Sequence, residues 1–207
     1  MVKRKNKTDK QVFWLIGIMV FVLLIFIFVY AALWNVSHFE YIGLKWEKTK
    51  FGKLDVYRTN IIINMPNKNP ETYDFYLRND PRKLEEIPLN AVIRLKQNNF
   101  SYVTIDDSLQ NCSDFSASLV DLGSFLAAFG IRTKTGVMNQ SLAEEQGKDY
   151  VICGNKDNSI ITYEKAEKTE ILQVGDCFQI KVANCEVRKG FERFMLGLIA
   201  HSRGYKI

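Results

Sequence analysis

The stretch VFWLIGIMVFVLLIFIFVYAALW, from Val12 to Trp34, decides the organisation of this chain, because it is apolar throughout and has no charged side chain. At about 1.5 Å of rise per residue, a helix of this length reaches roughly 35 Å, which is enough to cross a hydrocarbon core about 30 Å thick. We therefore expect a membrane-spanning helix over residues 12–34. A cleaved signal peptide is the alternative, but the run is longer than the roughly 7 to 15 apolar residues of such a peptide.

The basic leader, residues 1–11, predicts the orientation of the span. It holds five Lys or Arg residues against one Asp, so it carries +4 of the formal +5 charge and leaves +1 for the rest of the chain. Positive residues beside a span are retained in the cytoplasm. We expect a single-pass protein of the cell membrane with residues 35–207 outside and the lipid bilayer as one partner. A charge of +1 excludes the basic surface that nucleic-acid binding needs.

The part that follows the span predicts a membrane-proximal β segment over residues 35–90. Aromatic and β-branched side chains are frequent in residues 39–46 and 54–63, and Gly52 between them favours a turn, so these two segments predict a hairpin. Polar and apolar side chains then alternate over residues 73–78, which is typical of a half-buried strand.

Residues 91–207 predict an α/β domain, so the fold class of the whole chain is α+β. A small βαβαβ unit with right-handed crossovers is expected first, continued by an antiparallel meander and a C-terminal helix. The predicted elements are strands at 91–96 and 101–106, a helix at 113–129, a strand at 131–137, a helix at 141–146, strands at 149–153, 159–165, 169–174 and 177–183, and a helix at 186–202.

The final predicted helix has two different sides. An apolar stripe from Val187 to Ile199 is expected to pack on the sheet, and a membrane-surface helix is the alternative. The charged residues on the opposite side of this helix are Arg188, Lys189, Glu192 and Arg193.

Polar residues follow the predicted parallel strands. Ligands of such sheets lie beyond the carboxyl ends of the strands, and Asp106, Asp107, Ser113 and Asn155 are expected there. These residues, here called the rim, predict a small-ligand or metal site. The alternative is a polar loop that caps a helix. No glycine-rich fingerprint stands between strand and helix, so a phosphate ligand is not expected.

Four cysteines, Cys112, Cys153, Cys177 and Cys185, all follow the span. An even number outside the cytoplasm predicts two disulfides, for which three pairings are open. We favour Cys177 with Cys185 and Cys112 with Cys153. Zinc and free thiols are the alternatives, but no CxxC pair exists, so no metal site is assigned to the cysteines.

The same region has four candidate glycosylation sites. The motif Asn-x-Ser occurs at Asn35, Asn99, Asn111 and Asn139.

The sequence shows no catalytic signature. Its two histidines, His38 and His201, lie in no HExxH motif, and a serine nucleophile elbow is missing. We therefore assign no catalytic residue and no cofactor. The expected function is a membrane-anchored protein that binds another envelope protein or a small ligand at the rim, and a membrane-tethered hydrolase that uses the rim carboxylates is the alternative.

Three segments carry a family resemblance. They are YDFYLRNDPR from residue 73, LGSFLAAFGI from residue 122 and CEVRKGFERFMLGL from residue 185. The chain resembles a group of uncharacterised single-pass membrane proteins of small-genome archaea over most of its outer part. The resemblance implies an archaeal source and a place in the cell envelope, but it implies no activity, because none is assigned to that group.

Overall fold

The structure is a computed structural model, and it describes residues 7–63, 69–95, 100–154 and 158–207. Its first element is a long helix, α1 (Lys7–Ser37). Within α1, residues Gln11–Ser37 are long and apolar enough to cross a membrane, and none of this segment is buried against the rest of the protein. Length and composition thus suggest a membrane anchor or a signal sequence. The orientation with the N-terminus inside stays a prediction from charge.

A four-stranded antiparallel sheet follows α1, with its strands paired in chain order. Ile42 and Gly43, with φ of 50° and 66°, form a tight turn that divides the predicted strand 39–46 in two. The hairpin predicted around Gly52 is formed by the second and third strands. The strands are β1 (His38–Tyr41), β2 (Leu44–Phe51), β3 (Leu54–Ile63) and β4 (Glu71–Leu77).

A seven-stranded sheet forms the larger part of the fold. Its strands in chain order are β5 (Leu89–Asn90), β6 (Phe100–Ile105), β7 (Arg132–Val137), β8 (Asp149–Tyr150), β9 (Ile160–Lys165), β10 (Glu170–Val174) and β11 (Cys177–Val182). Their order across the sheet is β5-β10-β11-β9-β6-β7-β8. The helices are α2 (Phe115–Ala128), α3 (Gln140–Gln146) and α4 (Val187–Ser202). Strands β6, β7 and β8 are parallel and alternate with α2 and α3, which confirms the βαβαβ unit and the α+β class.

Two strand assignments differ from the prediction. Residues 91–95 are irregular, and the preceding pair Leu89–Asn90 forms β5 instead. The last three strands do not pair as a meander, because β11 lies between β9 and β10 and runs parallel to β9. The sequence could not show this order, because β9 pairs with β6 and β11 and not with β10, the next strand in the chain.

Helices α2 and α4 lie between the two sheets and join them in one hydrophobic core. Phe125 of α2 packs on Phe75 of β4, with ring centroids 5.2 Å apart. On the other side, Phe191 of α4 stacks on Tyr163 of β9 at 4.0 Å. Trp46, which is almost fully buried, belongs to the same cluster. Both sheets therefore depend on the same two helices for burial of their apolar faces.

Two disulfides are present, but the pairing that we favoured is wrong. Cys112 bonds Cys185, and Cys153 bonds Cys177, with Cα–Cα distances of 5.4 Å in both. Strand β11 separates Cys177 from Cys185 by about 20 Å of extended chain, which a disulfide cannot span. The chain after β8 instead brings Cys153 next to Cys177, at the start of β11. Cys185, with a left-handed φ of 57°, turns the chain into α4, close to the start of α2.

Candidate functional site

The rim carboxylates are engaged in local bonds. Asp106 accepts a hydrogen bond from the Ser108 backbone N–H at 2.9 Å, and Asp107 accepts one from Gln110 Nε2 at 2.7 Å. Partial burial raises the pKa of Asp106, but hydrogen bonds from Ser108 and Lys165 outweigh it and leave the pKa below its usual value. Bonds of this kind are typical of the capping loop that was the alternative interpretation.

No described contact brings the other two rim residues together with Asp106 and Asp107. Ser113 is exposed in the turn before α2, and Asn155 lies outside the described residues. Within the described part of the chain, no group of three or more His, Cys, Asp or Glu side chains could hold a metal ion. The small-ligand or metal site at the rim stays a prediction.

The candidate glycosylation sites stay predictions as well. Asn35 and Asn111 are exposed, and Asn99 lies outside the described residues. Asn139 is exposed and caps α3, because its Oδ1 accepts a hydrogen bond from the Leu142 backbone N–H at 3.2 Å.

The four sheet edges differ in length, and this difference identifies another candidate site. Strand β1 has four residues, and β5 and β8 have two each. Strand β4 has seven residues and is the last strand of its sheet. Proteins commonly protect sheet edges by making the edge strand very short. Strand β4 lacks that protection, so its outer backbone groups form the longest edge in the described part of the fold.

A cleft of about 280 Å³ follows this edge. Six consecutive residues of the chain, Tyr73 to Arg78, line it. Because successive side chains of a strand point to opposite faces, an unbroken run of lining residues means that the cleft follows the edge of β4 rather than one face. The other walls include Phe51 and Leu54 of the β2–β3 hairpin, Asp121 and Ser124 of α2, and Arg188 of α4.

The helical wall of the cleft carries a buried cation. Arg188 is only 7 % exposed and forms an ion pair with Asp121, which is half exposed. Its Nε and Nη2 groups find no hydrogen-bond partner in the described part of the structure. Burial, and then the charge of Asp121, raise the pKa of Tyr73, so this phenol stays neutral at physiological pH. The wall therefore combines an aromatic surface with a buried arginine and the half-exposed carboxylate that pairs with it.

Of the four charged residues predicted opposite the apolar stripe of α4, three are buried, and Lys189 is exposed. Glu192 and Arg193 are 1 % and 2 % exposed, because the four-stranded sheet and the chain after it cover this side of the helix. Glu192 accepts hydrogen bonds from the backbone N–H groups of Arg78 and Asn79, at 2.7 and 3.0 Å, and from Asn79 Nδ2 at 2.7 Å. Arg193 Nε donates to the carbonyl of Ile87 at 3.0 Å.

These buried charges join the two sheets. Burial raises the pKa of Glu192, although the bonds from Arg78 and Asn79 oppose that rise. Burial likewise lowers the pKa of Arg193. The sequence offered one signal for this arrangement, namely that α4 carries charged residues on the side opposite its apolar stripe. That signal does not say which surface would cover the charges.

Comparison with known proteins gives no relative. No family model, no curated protein and no solved structure matches the chain. The resemblance to single-pass archaeal membrane proteins stays a prediction.

Proposed function

We propose that this protein is a membrane-anchored binding protein of the cell envelope, and that it takes up an extended segment of another envelope polypeptide beside β4. The apolar helix α1 and the two disulfides suggest a membrane-anchored domain outside the cytoplasm, because disulfides persist in oxidising compartments. The single observation that supports the binding site is the seven-residue edge of β4 with a cleft beside it.

An exposed edge can accept a strand from a partner. Backbone hydrogen bonds then supply affinity, and pockets for alternate side chains supply specificity. Beside β4, one set of partner side chains would face the exposed ring of Tyr76. The other set would face Asp121 and Arg188. The proposed partner segment therefore alternates apolar residues with polar ones, and a donor group on the partner would pair with the half-exposed carboxylate of Asp121.

The hydrolase alternative rests on Asp106 and Asp107, whose carboxylates are engaged in local capping bonds. No described contact favours it, so the binding function is the one proposed.

Photo-crosslinking tests the proposal at two matched positions. Thr72 of β4 and Ile62 of β3 are cross-strand partners, and both are exposed, but only Thr72 lies on the edge strand. The full chain in detergent, with a photoreactive residue at position 72 or at position 62, is mixed with membrane extract from its native source and irradiated. We expect a cross-linked partner polypeptide from position 72 and not from position 62.

A blocking variant shows whether the edge itself is used. Lysines on an edge strand oppose strand addition, so the pair Thr72→Lys and Tyr76→Lys should abolish cross-linking from a photoreactive residue at position 74. Ile62→Lys, on the neighbouring inner strand, should leave it unchanged. The proposal fails if positions 72 and 62 cross-link equally, if neither does, or if the only product is a second copy of this chain.

A further inference from the structure

The tip of the β2–β3 hairpin, defined as residues 48–54, is exposed and carries both apolar and basic side chains. Phe51 and Leu54 face each other across the turn and are 67 % and 46 % exposed. The exposed lysines of the tip are Lys48, Lys50 and Lys53, and none of them forms an ion pair with another described residue. With the neighbouring Asp55 included, three lysines against one aspartate leave a net charge of +2.

The strand register places this tip beside the end of α1. Helix α1 ends at Ser37, and β1 begins at the next residue, so no linker separates the helix from the sheet. His38 pairs with Glu47, and β2 continues for four residues beyond that pair, to Phe51. At roughly 3.3 Å per residue, the tip reaches about 13 Å past the first residue of β1, on the side from which α1 arrives. Consistently, α1 contacts β2 as well as β1.

The junction between α1 and β1 is held by side-chain contacts. The rings of Trp34 and His38 stack with centroids 4.0 Å apart. The Ser37 hydroxyl lies 3.0 Å from His38 Nδ1 and donates to the carbonyl of Leu33 at 3.0 Å. The sheet therefore follows the helix closely instead of turning freely on a linker.

The last turns of α1 are where a membrane surface is expected. The apolar run ends at Trp34, and Tyr30 and Trp34 are residues of the kind that lie at the headgroup level of a bilayer. The hairpin tip lies beside those turns. Aromatic and aliphatic side chains together with lysines are the combination that binds an anionic interface, because apolar groups enter the boundary of headgroups and acyl chains while ammonium groups contact lipid anions.

We propose that the hairpin tip docks on the same bilayer that holds α1, with Phe51 and Leu54 inserted at the headgroup boundary and the three lysines against anionic lipid headgroups. This second attachment fixes the tilt of the outer domain relative to the membrane. Phe51 and Leu54 also line one end of the cleft beside β4, so docking places that end of the cleft at the membrane surface. The docking itself requires no protein partner and does not rest on the proposed function.

Fluorescence quenching in lipid nanodiscs tests this docking on the full chain. All four native cysteines are in disulfides, so Phe51→Cys introduces the thiol to which an environment-sensitive fluorophore is attached. Ile62→Cys is the matched control, because Ile62 is 68 % exposed and lies in the same sheet, about 26 Å along β3 from Leu54. Lipids with a nitroxide at the headgroup should quench the fluorophore at position 51 at least about threefold more than at position 62.

The charge of the lipid tests the lysines. In the Phe51→Cys background, Lys48→Gln, Lys50→Gln and Lys53→Gln should each lower the ratio of docked to undocked domain about fivefold in discs that contain phosphatidylglycerol. In discs of phosphatidylcholine alone, the three changes should have little effect. Mass mapping of the two disulfides confirms that each variant is folded. Equal quenching at positions 51 and 62 overturns the docking. Equal quenching in the two kinds of disc, measured on the Phe51→Cys chain with all three lysines intact, overturns the role of the lysines.

Discussion

The two sheets of this protein differ in the length and protection of their edge strands. The seven-stranded sheet ends in β5 and β8, which have two residues each. Beyond β5, Gln173 Oε1 accepts from the Val92 N–H at 2.9 Å, and His201 Nδ1 accepts from the Ile93 N–H at 3.0 Å. The four-stranded sheet ends in the seven-residue β4 and sends its β2–β3 hairpin past β1. One sheet thus ends in very short strands, and the other ends in a long strand whose outer backbone is available for contact.

The disulfides are also distributed unequally between the two sheets. Both disulfides lie in the part of the chain that forms the seven-stranded sheet and its helices, and the four-stranded sheet has none. The four-stranded sheet is held instead by its apolar face and by the buried charges of α4. We infer that the disulfide-bonded, seven-stranded sheet serves as a scaffold and that β4 of the four-stranded sheet is the part available to the proposed partner.

Removal of a disulfide should have the largest effect, because it weakens the scaffold itself. The bridge Cys112–Cys185 joins residues 73 apart in the chain, and Cys153–Cys177 joins residues 24 apart. From the entropy of loop closure, the double alanine variants should lose about 4 and about 3 kcal/mol of unfolding free energy, respectively. Urea denaturation of the full chain in detergent measures both losses.

A crossed variant distinguishes the observed pairing from the one favoured by the sequence. Cys177→Ala with Cys185→Ala removes one partner from each bridge, so it should cost more than either matched pair. If it costs no more than the loss of one bridge, and mass mapping finds Cys112 joined to Cys153, the structural pairing is wrong.

Parts of the fold with local causes could be predicted from sequence. The apolar length of α1, the β-branched and aromatic content of β3, the alternation in β4 and the β6–α2–β7 crossover each depend on patterns within a short stretch. The disulfide pairing and the place of β11 depend on contacts between distant segments, and no local pattern encodes them. For the candidate site, the run from Tyr73 to Arg78 indicated a strand, but only the strand order shows that this strand is an edge.

The charged side of α4 shows the same limit. Helical periodicity correctly placed Phe191 and Glu192 on different sides of α4. Periodicity cannot say whether water or a second layer of protein covers the polar side. The partners of Glu192 are 114 and 113 residues away, in the segment after β4. The buried carboxylate of Glu192 is stable only because those backbone N–H groups donate hydrogen bonds to it. Only the complete fold places them there.

Replacement of Glu192 should have the second largest effect, because it opens the junction between the two sheets. Glu192→Ala leaves the N–H groups of Arg78 and Asn79 buried without an acceptor, which should cost about 3 kcal/mol of unfolding free energy. Hydrogen exchange at these two amides should accelerate more than exchange in β9. Glu145→Ala, on the exposed side of α3, is the control and should change neither measurement. Equal effects of the two changes would refute the role given to Glu192.

The smallest effect concerns the closure of the β5 edge, and it depends on pH. Burial, and then the charges of Arg193 and Arg94, lower the pKa of His201 below its usual value of about 6.5. The unfolded chain then binds a proton at a higher pH than the folded chain. His201 therefore contributes stability that is complete above about pH 6.5 and is lost as the pH falls through the lowered pKa of the folded state.

His201→Asn isolates this contribution, because the Asn Oδ1 can still accept from the Ile93 N–H but does not titrate. Urea denaturation from about pH 8 to about pH 5 should show a steeper loss of stability in the unmodified chain than in the variant, with the difference confined to pH values below about 6.5. A loss smaller than that of either disulfide is expected, since His201 is only partly buried. Parallel curves for the two proteins would mean that protonation of His201 leaves the edge intact, and the closure of β5 would then rest on Gln173 and the backbone alone.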